Sequence, residues 1–227
     1  MKIVEVKTED VLYREVVDRT ADLLKQEIKS SGRASLILSG GNTPQKYLPA
    51  LFSIPLDWGK VTITLSDERW VPQEHRDSNE GMIRKCMENY PEAQKAKFIS
   101  FYFGEKSPVE DANRLERLLI AEAMPFSVAL LGMGADGHIC SLFPGAVDDE
   151  ESPKGVCIVN RDAPLHPRIS LSYEVVRKLK TPILVLNSSM KVETFYDFRR
   201  SGRSTRSPAL DELVENQGLI VFQLKSN

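Results

Sequence analysis

A lone histidine sits in a glycine frame: Leu131-Gly132-Met133-Gly134-Ala135-Asp136-Gly137-His138-Ile139-Cys140-Ser141-Leu142-Phe143-Pro144-Gly145. Histidine is the side chain whose ordinary titration lies nearest neutral pH, so it can take a proton from bound substrate or water and return it. Glycine tolerates positive φ and lets the backbone approach a ligand closely. An apolar run at 128–131 precedes the frame and predicts a buried strand carrying His138 on the turn at its end. A solvated histidine on a plain tight turn is the alternative; the glycine frame and the strand before it favour a site. Cys140, two residues on, raises the question of a thiol nucleophile. No thiolate-stabilising pattern surrounds it, and a small packing residue is the favoured reading.

Three further stretches carry groups that would act with such a histidine. Ser66-Asp67-Glu68-Arg69-Trp70-Val71-Pro72 follows an apolar run at 61–65. Ligand sites of open α/β sheets gather at the carboxyl ends of strands. Asp67 is therefore expected to orient or polarise a catalytic base and Arg69 to clamp an anion, with a surface ion pair between them as the alternative. Ser39-Gly40-Gly41-Asn42-Thr43-Pro44 joins an apolar run at 34–38 to a helix whose first turn holds Pro44. Strand, glycine turn and helix N-terminus can bind phosphate through backbone N–H groups. The stretch is neither a Walker loop nor a dinucleotide fingerprint, and an ordinary βα turn fits it equally well. Arg168 enters Ile169-Ser170-Leu171-Ser172 as a second candidate cation. Lys191 follows Asn187-Ser188-Ser189-Met190 in a first helical turn, where the helix dipole disfavours a cation unless an anion is bound. His75, Arg76 and His166 are expected to be solvated in loops; Arg199, Arg200, Arg203 and Arg206 are expected in a solvated, mobile loop, with a phosphate-gripping lid as the alternative.

The elements that must position these groups follow from periodicity and caps. Strands are expected at 3–6, 34–38, 61–65, 98–103, 128–131, 156–159, 182–186 and 219–224. Thr8 caps a first helix and Gly32 stops it. Asp77 and Glu80 form a capping-box pattern for a helix through Met87. Ser107, Pro108 and Glu110 start another helix, 173–179 gives a short one, a further one follows Lys191, and Ser207 with Pro208 starts the last. Strands and helices alternate, so the fold class is α/β, with a mainly parallel sheet covered by helices on both faces. The length of 227 residues suits one domain over 1–227. Lys and Arg number 30 against 32 Asp and Glu, so the net charge of −2 argues against a general nucleic-acid binder. Cys86, Cys140 and Cys157 are widely spaced, which argues against a disulfide framework or a thiolate zinc site and for a reducing compartment. The N-terminus shows no long apolar segment, so no membrane partner and a cytoplasmic location are expected. The acidic run at 148–151 is expected to be a solvated loop.

Four segments together resemble the glucosamine-6-phosphate isomerase/6-phosphogluconolactonase family. They are Leu38-Ser39-Gly40-Gly41-Asn42-Thr43-Pro44; Asp67-Glu68-Arg69-Trp70-Val71-Pro72 with Asp77-Ser78-Asn79; Gly132 to His138 with Ser141-Leu142-Phe143-Pro144-Gly145; and Arg168-Ile169-Ser170-Leu171 with Lys191. The sequence departs from the family pattern at Asn42, Ala135, Ile139-Cys140 and Ser188-Ser189. The resemblance implies a three-layer α/β fold related to the ribose-5-phosphate isomerase and coenzyme A transferase folds. It implies hydrolysis of 6-phosphogluconolactone to 6-phosphogluconate in the oxidative pentose phosphate pathway, without cofactor or metal. It assigns His138 as general base and Asp67 as its partner. Arg69, Arg168 and Lys191 become phosphate ligands, and Gly40, Gly41, Asn42 and Thr43 line the substrate. The implied partner is a small sugar-phosphate lactone; oligomeric state stays open, with a monomer favoured. The Ser141 to Pro144 run resembles the lactonase branch, whereas the amino-sugar deaminases usually carry Phe-Asn-Glu-Pro there. A deaminase using Asp67 as base, and a non-catalytic sugar-phosphate sensor, are the competing expectations.

Overall fold

The computed structural model describes residues 1–144, 152–160, 165–201 and 208–225. Gly145, the acidic run at 148–151, the stretch 161–164, Arg203, Arg206 and Ser207 lie outside the described residues. Strand β1 (Lys2–Val6) leads to helix α1 (Glu9–Ser31). The Thr8 hydroxyl accepts from Val11 N–H at its start, and Gly32 ends it at φ 77°. Leu12, Val16 and Leu24 fall on one face and are fully buried. Strand β2 (Ala34–Leu38) is buried along its whole length and runs into α2 (Asn42–Phe52). Then come β3 (Val61–Leu65), β4 (Asp67–Arg69), α3 (Asn79–Met87), β5 (Lys97–Phe98), α4 (Pro108–Glu122) and β6 (Val128–Gly132). The chain closes with β7 (Val156–Val159), β8 (Arg168–Leu171), α5 (Tyr173–Arg177), β9 (Pro182–Leu186), α6 (Ser189–Ser201), α7 (Pro208–Glu215) and β10 (Ile220–Leu224).

Seven strands form a parallel sheet in the order β1-β10-β9-β6-β2-β3-β5. All-parallel strands need cover on both faces, which is why β2, β6 and β9 read as continuous apolar runs. From β2 the chain steps outward through β3 to β5. It then returns to the other side of β2 with β6 and continues to β9 and β10. That reversal opens a crevice between the carboxyl ends of β2 and β6, where an open α/β sheet binds its ligand. One continuous apolar cluster joins the helices to the sheet.

Four expectations are corrected. The 67–69 stretch is a strand rather than a strand-end loop: β4-β8-β7 form a second, antiparallel sheet. The expected strand at 98–103 shrinks to Lys97–Phe98. Beyond Ile99, which still donates to the Ile63 carbonyl, the Asp111 carboxylate takes the N–H groups of Phe103 and Glu105 and draws the chain away from the sheet's edge. Ser78, not Asp77, caps α3, its hydroxyl accepting from Gly81 N–H. The Glu80 carboxylate of the supposed capping box is instead taken by Arg84 and Ser100. Finally, α5 ends at Arg177, before the expected 179.

Candidate active site

A cleft of about 320 Å³ opens at the crevice. The end of β2 and the start of α2 contribute Gly40, Gly41, Asn42 and Thr43, and β4 contributes Asp67 and Arg69. The turn after β6 contributes His138, β8 contributes Arg168, and the first turn of α6 contributes Lys191. Every residue singled out in the sequence as a site candidate therefore lines one cleft.

His138 is held from within its own turn. Its Nδ1 lies 2.6 Å from Asp136 Oδ1, and its backbone N–H donates to the same oxygen at 3.2 Å. A carboxylate only accepts, so in the neutral imidazole Nδ1 carries the hydrogen and Nε2 the lone pair. Burial raises the Asp136 carboxyl, but the two bonds and the charge of His138 outweigh it and leave the group below its ordinary value. The imidazole also rests against Phe143, ring centroids 4.4 Å apart. Gly134 makes this possible: a Cβ there would sit 2.2 Å from His138 Nδ1 and 2.5 Å from Asp136 Oδ1.

The described hydrogen bonds join His138 to Asp136, whereas the expectation paired it with Asp67. The cause is the second sheet. In β4, Asp67 stands opposite Ser170 of β8 and is buried at the cleft. Its Oδ1 accepts from the Ser66 hydroxyl at 2.7 Å and its Oδ2 from the Ser141 hydroxyl at 2.6 Å. Arg168 Nη1 lies 4.0 Å from Oδ2. Ser141 N–H donates to Ser170 Oγ, so the residue three positions after His138 is pinned to both strands. Asp67 therefore contacts the histidine turn through Ser141 and lies beside Arg168.

The same register sets Arg69 directly opposite Arg168. Like charges facing each other across an antiparallel pair are destabilising by themselves, and an anion in the cleft relieves that repulsion. Arg69 Nη1 donates to the Asp77 carbonyl at 2.5 Å, and Arg168 Nη1 to Ser141 Oγ at 3.5 Å. Lys191 is half-buried, and burial pushes its ammonium below the ordinary lysine value. Helix α2 starts at Gly41 without a side-chain cap, so its first N–H groups are presented at the cleft.

Several contributing residues had no role assigned from sequence. Asp136 was quoted within the glycine frame, and its spacing two before the histidine was the available signal. Asn79 donates to the Asp67 carbonyl, and its side chain fills the place where a Cβ on residue 40 would be, 1.8 Å from Oδ1, which requires Gly40. Glu68 accepts from the N–H groups of Arg69, Asn79 and Glu80 and from the Ser78 hydroxyl, tying β4 to the start of α3. Burial nevertheless pushes its carboxyl up to about 7. Cys140 is buried at φ 57°, and burial raises its thiol well above the ordinary value, which disfavours the reactive thiolate. Arg199 and Arg200 form the last turn of α6 rather than a loop. No described helix is long and apolar enough to cross a membrane.

Residues 7–218 match the family described as glucosamine-6-phosphate isomerases/6-phosphogluconolactonase. A protein of Pseudomonas aeruginosa named 6-phosphogluconolactonase is 36% identical over 189 residues, covering 80% of this chain and 78% of that protein. A crystal structure of a 6-phosphogluconolactonase from Shewanella baltica superposes with a TM-score of 0.87 at 28% identity, covering 99% of this chain and 98% of that one. A monomeric glucosamine-6-phosphate deaminase superposes at 0.83 with 19% identity, covering 99% and 98%, so the fold is shared by enzymes of both names.

Proposed function

Since the chain belongs to the glucosamine-6-phosphate isomerase/6-phosphogluconolactonase family, we propose that it hydrolyses 6-phospho-D-glucono-1,5-lactone to 6-phospho-D-gluconate, in the cytoplasm, as a step of the oxidative pentose phosphate pathway. The observation that carries this reading is His138, oriented by Asp136 on a cleft that also gathers Arg69, Arg168 and Lys191.

A lactone is an activated ester, and water can attack it without a covalent enzyme intermediate. Nε2 of His138 takes a proton from water as its oxygen bonds to the lactone carbonyl carbon. The C1–O5 bond then breaks, and the protonated imidazole returns the proton to the departing ring oxygen. Asp136 holds the ring and stabilises its passing positive charge. The carbonyl oxygen gains negative charge in the positive field of the cleft. The phosphate takes no part in bond making. It docks on the first N–H groups of α2 together with Arg168 and Lys191, with Arg69 beside them, and so places the carbonyl against the water. Asp67 acts through Arg168 and Ser141, as a positioning residue. The Ser141 to Pro144 run and the 36% identity to a lactonase favour hydrolysis over deamination.

The test is His138→Ala, assayed for lactone hydrolysis above the spontaneous rate and for 6-phosphogluconate affinity by calorimetry. Loss of most turnover with affinity retained supports the assignment. Unchanged turnover removes His138 from the role.

A further inference from the structure

Away from the cleft, His75, Asp77 and His166 converge. His75 and His166 were expected to be solvated; both are half-buried. His75 Nδ1 lies 3.8 Å and His166 Nε2 3.5 Å from Asp77 Oδ2. The two imidazoles meet edge to face with centroids 5.0 Å apart. Zinc binds imidazole nitrogen and carboxylate oxygen at roughly 2.0–2.2 Å, so tetrahedral donors stand about 3.4 Å apart. The two nitrogen-to-carboxylate distances are within a few tenths of an ångström of that spacing, and all three donors lie within 4.8 Å of one another. The backbone around them is fixed, because Trp70 N–H donates to the Pro167 carbonyl at 2.8 Å and joins the two loops. Asp77 N–H donates to His75 Nδ1 at 3.1 Å, so that nitrogen already holds a lone pair and no hydrogen, the form a metal ligand needs.

We propose that His75, Asp77 and His166 form a binding site for a divalent transition cation of the zinc class, separate from the chemistry at His138. Two imidazoles and one carboxylate favour zinc over magnesium or calcium, which prefer all-oxygen shells. The fourth position is left to water. The cation takes over the His75 lone pair now shared with Asp77 N–H. It ties the segment between β4 and α3 to the segment entering β8. The segment between β4 and α3 also carries the Asp77 carbonyl that holds Arg69 at 2.5 Å, so occupancy stiffens the support of one cleft cation. The site does not depend on the lactonase reading, because the experiment measures binding and not turnover.

Chelator-stripped protein is titrated with zinc chloride by calorimetry, alongside His75→Asn, His166→Asn and His138→Asn. The expected result is one saturable equivalent in the wild type and in His138→Asn, with affinity lowered by at least about tenfold in each of the other two. Cobalt(II) in place of zinc supplies a second reading, a visible spectrum of tetrahedral type that disappears in His166→Asn. Circular dichroism confirms that each variant is folded. Absence of saturable binding in the wild type overturns the proposal. So does binding that His75→Asn and His166→Asn leave unchanged, or that His138→Asn removes.

Discussion

Gly134→Ala separates positioning of the base from stability of the fold. The added carbon would lie 2.2 Å from His138 Nδ1, 2.3 Å from Cε1 and 2.5 Å from Asp136 Oδ1. Non-bonded heavy atoms settle at roughly 3.5–4.0 Å, so the pair must yield by about an ångström. The easiest escape is outward: the His138 side chain is 29% exposed and that of Asp136 51%. Both can swing into water without disturbing the core. Stability should therefore fall by no more than about 1 kcal/mol, the range of substitutions that create no cavity and bury no unpaired group. Catalysis should suffer far more. A positioned acid–base group contributes roughly 10²–10⁴-fold, which is about 2.7–5.4 kcal/mol of barrier. The assay is kcat on 6-phosphogluconolactone, corrected for spontaneous opening, with thermal unfolding and 6-phosphogluconate affinity measured on the same preparation. A kcat within threefold of wild type refutes the argument. A large fall in melting temperature refutes its second half, because the clash would then be borne by the fold.

Asp67→Asn should raise KM by several-fold through Arg168 and lower kcat less; a kcat loss equal to that of His138→Ala at unchanged KM would return Asp67 to the chemistry. Because burial lowers the Lys191 ammonium from its ordinary value of 10.5, 6-phosphogluconate affinity should begin to fall with rising pH below that value. Lys191→Met should lose this limb of the profile, and identical profiles for both proteins would contradict the placement. Glu68 is raised in the folded state to about 7 from an ordinary 4.5, so the folded protein binds the proton more tightly. Its contribution to stability is complete below about pH 4.5 and is lost as pH rises through about 7. Glu68→Gln should therefore destabilise more at pH 5 than at pH 8, as read by urea unfolding, and equal losses would contradict the shift.

How much of this was legible in the sequence differs by element. Strands β2, β3, β7 and β9 match their apolar runs residue for residue, because strands buried on both faces need no alternation to be seen. The second sheet was hidden. Asp67–Arg69 is short and polar, and its partner Arg168–Leu171 lies a hundred residues away, so no local pattern announces the pairing. Without β4, nothing in the sequence showed that the Asp67 carboxylate turns toward Ser66 and Ser141. Asp136 was visible as a residue, but its bond to His138 depends on how the chain turns at Gly134, which periodicity does not encode. The cations were legible as strand-end and helix-start residues, while the facing of Arg69 and Arg168 is a matter of register alone.

The most direct test of the central claim offers the purified protein two substrates side by side. 6-Phosphogluconolactone is followed by acid release above the spontaneous rate, and glucosamine 6-phosphate by ammonia release. The account predicts rapid lactone opening and no ammonia. Ammonia release, with lactone opening no faster than background, would contradict it.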